Sequence, residues 1–277
     1  MLNELLAKAQ QGDKDAMRKI GNHYCYDAGN PQKGVEWWEK AAALSDAFAM
    51  FNLGLHYRGQ GNFEMAKHWL EKAYQNGDPD GAVDLGVIYY GRGNLQQAVF
   101  WWEKVADAAP NAARNLVFTY ADKNFHGRNK EDFLKWLKVS ANKHNDPWGK
   151  GVLGVLYCGI EHHLWKEAGF SGLPQENREE GVRFIKEGVA TAENGKSDVS
   201  FQLTDYTAFA QAMCSFGGKT DFSRCTRDDL GKAIQYDEKA LALAEELAKL
   251  NPVGAMFVQT CQDSLGTKKK AYVALYG

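Results

Sequence analysis

The sequence predicts an all-α solenoid of about five to six helix-turn-helix units with capping helices at its ends. Three observations carry that expectation. "EWWEK" at 36–40 returns as "HWLEK" at 68–72 and "FWWEK" at 100–104, which places Glu39, Glu71 and Glu103 at intervals of 32 residues. A second block keeps the same step: "KIGNHY" at 19–24, "NLGLHY" at 52–57, "DLGVIY" at 84–89, "NLVFTY" at 115–120 and "VLGVLY" at 152–157. Between the blocks stand the breakers "DAGNP", "RGQGN" and "GRGN". A period of this length marks stacked supersecondary units. An active site needs different groups converging once, so catalysis does not ask for such repetition.

Taken in order, residues 1–13 read as a lone capping helix, because "LLAKAQQGD" at 5–13 resembles the unit end "LEKAYQNGD" at 70–78. Five units follow at 14–46, 47–78, 79–109, 110–146 and 147–198. In the first helix of a unit, residues four apart such as Leu53 and Tyr57 share a face. Glycine inside a helix costs about 1 kcal/mol against alanine, so its return at Gly21, Gly54, Gly86 and Gly154 implies a close helix approach. Val117 takes its place in the fourth unit. Six of the eight tryptophans (Trp37, Trp38, Trp69, Trp101, Trp102, Trp136) fall in second helices and read as inter-repeat core rather than as a sugar-binding or base-binding stripe. Asp46 and Asp78 precede first helices and are expected to cap them.

The fifth unit carries an insertion at 158–181, expected to project as a loop docked by Trp165 and Phe170. Beyond 198 the repeat signature fades. A helix is expected over 201–213 and a long amphipathic one over 227–250, with Asp228 and Asp229 in its first turn and Asn251-Pro252 at its end. Residues 253–275 close the stack, so 199–277 reads as a divergent repeat with capping helices.

Composition sets bounds on function. With 33 Lys+Arg against 35 Asp+Glu the net charge is -2, which supplies no field for nucleic acid or an anionic membrane. No apolar run is long enough to span a bilayer, and residues 1–20 lack the pattern of a signal peptide. The five cysteines (Cys25, Cys158, Cys214, Cys225, Cys261) are scattered, which suits reduced thiols in the cytoplasm.

A search for chemistry finds no P-loop, nucleophile elbow, His-Glu-x-x-His or Cys-x-x-Cys. "EHH" at 161–163 reads as solvated loop rather than a metal cluster, because adjacent helical histidines point in different directions. Cys214 and Cys225, eleven apart in the loop 214–226, read as two unpaired thiols, with a redox pair as the alternative. No catalytic residue, metal or cofactor is assigned.

The sequence of blocks, "LG..Y..G.G" and then "A..W.EKA", resembles the Sel-one-like repeat family, a relative of the tetratricopeptide repeats, most clearly over 14–109. The resemblance implies a right-handed superhelix whose first helices line a concave groove, and it implies which residues face inward. These are Phe48, Phe51, Leu55 and Arg58 in the second unit, and Asp80, Val83, Val87 and Tyr90 in the third. The fourth gives Asn111, Arg114, Phe118 and Ala121, the fifth Trp148, Gly151, Val155 and Cys158, and Arg18 belongs to the first. Arg18, Phe48, Phe51, Arg58, Tyr90, Arg114, Phe118 and Trp148 form the expected partner-binding set, since aromatic and arginine anchors favour protein interfaces. Arg58 and Arg114 are expected to receive carboxylates of an acidic segment or chain terminus.

The resemblance therefore implies a non-enzymatic scaffold for a protein or peptide partner, with no nucleic acid and no membrane. Its alternative is an immunity or inhibitor protein that uses the 158–181 and 214–226 loops against a toxin. Cysteine-rich members described as β-lactamase-like carry a cysteine pair in each repeat, whereas Cys25 and Cys158 here lack such partners, so that enzymatic reading is not favoured.

Overall fold

A computed structural model describes residues 2–194, 203–216, 218–250 and 252–277. The expected unit end at 198, the first two residues of the expected 201–213 helix and the Asn251 stop lie outside these. The described residues form fifteen α-helices and one short hairpin, so the chain is an all-α solenoid. It divides into two compact units, Met1–Leu116 and Val117–Gly277.

The first unit begins with α1 (Leu2–Gln10), which packs Leu2, Leu5 and Leu6 on the cluster Ala9, Ala16 and Ile20 as an end cap. Helix pairs follow: α2 (Lys14–Asn22, prolonged by a π turn at His23–Asp27) with α3 (Pro31–Ala43), α4 (Ala47–Gly59) with α5 (Phe63–Gln75), and α6 (Pro79–Gly91) with α7 (Leu95–Glu103). Next comes α8 (Pro110–Ala121).

Capping alternates by helix type. Asp13, Asp46 and Asp78 accept backbone N–H bonds at the starts of α2, α4 and α6, whereas Asn30, Asn62 and Asn94 do so at α3, α5 and α7. Each carboxylate or amide oxygen satisfies a donor that the first turn leaves unpaired. The Asp46 and Asp78 caps match the sequence expectation, Asp13 adds a third, and the asparagines give the "GN" of each breaker its purpose. The exit turn needs a left-handed residue, supplied by Gly77 at φ 97° and by Ser45 at φ 56°.

The recurring glycines answer a steric demand. A Cβ at Gly21 would stand 2.3 Å from Trp38 Cδ1, one at Gly54 2.6 Å from Leu70 Cδ2, and one at Gly86 2.2 Å from Trp102 Nε1. Trp38, Leu70 and Trp102 are thus the wedge that each second helix drives against its own first helix. All three are buried. The neighbouring tryptophan serves the junction between repeats: Trp69 packs on the cluster around Trp38 and Leu53, and Trp101 on that around Leu70 and Leu85. The lysine of each "EK" covers that outer ring, with Lys40 over Trp37 at 4.2 Å and Lys72 over Trp69 at 4.9 Å.

The second unit contains α9 (Lys130–Lys138, with a π turn at Val139–Lys143), α10 (Pro147–Tyr157), the short α11 (His163–Glu167), α12 (Arg178–Glu193) and α13 (Leu203–Met213). A hairpin of β1 (Ser215–Phe216) and β2 (Lys219–Thr220) leads to α14 (Arg227–Leu250) and α15 (Pro252–Tyr276), which pack against each other. Ion pairs tie this unit together. Lys186 reaches Asp228 and Asp229 at 2.7 and 2.8 Å, and buried Lys268 reaches Asp237 at 2.8 Å. Among the described residues no helix is long and apolar enough to cross a membrane.

Candidate functional site

The first helices of the first unit lie side by side. Asn52 of α4 donates to Asn22 of α2 at 2.9 Å, and Arg58 of α4 is paired with Asp84 of α6. On this face Phe48 is 61% exposed, Tyr90 42% and Val87 41%. Phe51 sits lower, half-buried against the clusters that hold Leu53 and Leu70. Phe48 is covered on one side by the Arg18 guanidinium at 5.4 Å, and Tyr90 tilts against Trp102 at 5.9 Å. Three large apolar side chains of α4 and α6 are thus left accessible.

The arginines have partners inside the fold. Arg18 pairs with Asp15 of its own helix and lies 3.5 Å from the Asp46 cap. Arg58 is engaged by Asp84, whose side chain is 16% exposed. The expectation that Arg58 waits for a ligand carboxylate is corrected on this point, because the next repeat supplies one. The signal was present in the "D" that opens "DLGVIY", at the position held by Asn52 in the preceding unit. Arg114, in α8, is half-buried.

In the second unit the expected inward set behaves differently. Phe118 is 42% exposed but stacks on Trp148 at a centroid distance of 4.8 Å and an interplanar angle of 27°. Trp148 is 8% exposed, and Val155 and Cys158 are at 0%. The assignment of Trp148 to partner binding is therefore corrected: α12 and α13 pack against α10, and the side chains expected to line a groove are core. Burial pushes the Cys158 thiol up to about 12.

The irregular segments are also anchored. Trp165 of the 158–181 insertion is fully buried against Phe133 and Phe170, as its docking role requires. Arg178 of α12 donates to the Ser215 and Met213 carbonyls and pairs with Asp229, while Phe216 lies between Arg178 at 4.0 Å and Arg224 at 4.4 Å. Cys214 and Cys225 are buried free thiols whose mutual interaction raises Cys214 and lowers Cys225. His162 is the N-cap of α11, not a residue of its interior, and its Nε2 lies 3.1 Å from Asp205 of α13. That contact was invisible in the sequence, where 43 residues separate the two.

Stacked helix pairs with glycine-and-wedge junctions define an α-solenoid repeat protein. Residues 14–46, 47–78 and 79–109 each match the Sel1 repeat. Over 99% of its length, and 87% of the other chain, it superposes on a Sel1 repeat protein from Oxalobacter formigenes at a TM-score of 0.60 and 18% identity, a likeness of fold alone. A putative sel1 repeat protein from Klebsiella pneumoniae subsp. pneumoniae shares 17% identity at a TM-score of 0.40, covering 71% of this chain and 99% of that one. Immunity protein Pa5087 from Pseudomonas aeruginosa shares 16% at 0.42, covering 68% and 72%. Both superpose too loosely to support an argument. No curated protein matches the chain. Sel1 repeat proteins are typically interaction scaffolds and generally non-enzymatic.

Proposed function

We propose that the chain is a non-enzymatic scaffold that receives a protein or peptide partner on the first-helix face of α2, α4 and α6. The observation that carries this reading is the exposure of Phe48, Val87 and Tyr90, 41–61%, on helices whose remaining large apolar side chains are buried or half-buried. Solvent-facing aromatic residues held on rigid helices cost little conformational entropy on binding, and they are enriched among residues that dominate interface energies. The grip on the partner is apolar. The Arg58–Asp84 and Arg18–Asp46 pairs set a polar border and select against a partner that places an unpaired charge over them.

The test is a capture experiment in lysate of the source organism. Phe48→Glu/Val87→Glu alters two exposed positions, so its melting temperature stays near that of wild type while the captured partner is lost. Phe100→Glu changes an equally open phenylalanine on α7, 48% exposed, and keeps the partner. Retention by the double variant, or equal loss in Phe100→Glu, refutes the assignment of this face.

A further inference from the structure

We propose that His162, His163 and Asp205 form a binding site for one divalent transition-metal ion of the zinc type, joining the 158–181 insertion to α13. One ring nitrogen of each histidine and a carboxylate oxygen of Asp205 lie within 4.8 Å of one another. Zinc binds nitrogen and oxygen ligands at about 2.0–2.2 Å, so a tetrahedral site asks for ligand atoms roughly 3.4 Å apart. The His162 Nε2 to Asp205 distance of 3.1 Å meets that requirement as it stands. The rings of His162 and His163 are 4.1 Å apart and tilted by 41°, and His163 must turn to close the spacing from at most 4.8 Å to about 3.4 Å.

The expectation that adjacent histidines diverge fails here for a local reason. His162 is the cap residue, with extended backbone at φ -66° and ψ 152°, and His163 begins the helix. The change of backbone between them brings their rings together instead of fanning them around a helix.

Two further observations point to a ligand. The Nδ1 of His163 is buried without a hydrogen-bond partner in the fold, whereas a structural histidine tie would satisfy it. The donor set of two imidazoles and one carboxylate, with no thiolate, suits zinc and its neighbours, not calcium or magnesium, and three protein ligands leave a fourth position for water.

Binding moves one proton within His162. Nε2 gives up the hydrogen it shares with Asp205 and ligates the ion, and Nδ1 takes up a hydrogen. Two contacts are surrendered, the His162–Asp205 hydrogen bond at 3.1 Å, which the ion replaces by bridging the same two atoms, and the long contact of 3.4 Å from the Leu164 N–H to Nδ1. With both imidazoles neutral, one carboxylate faces two positive charges. The side chains of His162 and Asp205 are 0% and 3% exposed, so half-buried His163 is the member through which an ion enters.

The test uses the full chain, stripped with a chelator and titrated with zinc by calorimetry, with thermal unfolding followed in parallel. The expected result is one zinc per chain at micromolar affinity or tighter, and a melting temperature raised by a few degrees at saturation, roughly the shift that ligand excess gives a chain of this size. His163→Gln leaves the His162–Asp205 bond in place. Its zinc-free melting temperature therefore matches wild type, while its affinity falls at least tenfold and the thermal shift disappears. His23→Gln, at an exposed histidine paired with Asp27, leaves both unchanged. Absence of a zinc-dependent shift in wild type, or wild-type zinc affinity in His163→Gln, overturns the proposal.

Discussion

Replacing Gly86 with alanine tests the packing logic of the whole repeat. The added Cβ would stand 2.2 Å from Trp102 Nε1 and 2.5 Å from its Cδ1 and Cε2. Carbon atoms in ordinary contact are about 3.5–4.0 Å apart, so helix or ring must yield by more than about 1 Å. The ring has little freedom to do so, being 2% exposed and held by its N–H bond to the Val83 carbonyl at 2.9 Å. Overpacking of this kind costs about 1–3 kcal/mol, and loss of the indole hydrogen bond adds about 1 kcal/mol. Alanine returns about 1 kcal/mol through its higher helix propensity. The net is a destabilisation of about 2 kcal/mol, or roughly 4–8 °C in melting temperature for a chain of this size. Circular dichroism during thermal and urea unfolding reads it directly. Gly91→Ala in the same helix is the control, because nothing lies within 4 Å of its added carbon and its stability stays level or rises slightly. Gly54→Ala faces the flexible Leu70 and falls between the two. A Gly86→Ala variant as stable as wild type, or less affected than Gly54→Ala, would falsify the wedge account.

Two other outcomes follow from particular contacts. Arg58→Glu sets two carboxylates against each other across α4 and α6. Because the Arg58 side chain is 36% exposed, the cost is about 1 kcal/mol, and the exchange Arg58→Asp/Asp84→Arg recovers most of it in the same melting assay. Cys158, fully buried with its thiol pushed up to about 12, holds only about one part in ten thousand as thiolate at pH 8. It therefore resists iodoacetamide in the folded chain and is alkylated once urea exposes it. Alkylation of the native protein at Cys158 would contradict the burial described for α10.

Much of the repeat is legible in the amino-acid sequence. The interval between Glu39, Glu71 and Glu103, the recurring glycines and the aspartate caps are local properties of a short motif written several times. A repeat whose second helix must drive the same wedge against its own first helix can only do so with similar residues at similar spacing. Phe48, Val87 and Tyr90 are expected to face inward only through the resemblance to tetratricopeptide repeats, and their exposure is read from the structure.

What the sequence could not determine depends on groups far apart in the chain. Whether Arg58 offers a free charge rests on Asp84, 26 residues on and one helix pair away. Whether Trp148 lines a surface or fills a core rests on α12 and α13, whose packing on α10 no periodicity encodes. The meeting of His162 and His163 with Asp205 rests on a loop docked by Trp165. Local pattern specifies elements and faces, because their physics is set by neighbours along the backbone. Ion pairing, burial and convergent side chains are long-range, and only the tertiary structure decides which carboxylate a given arginine or histidine meets.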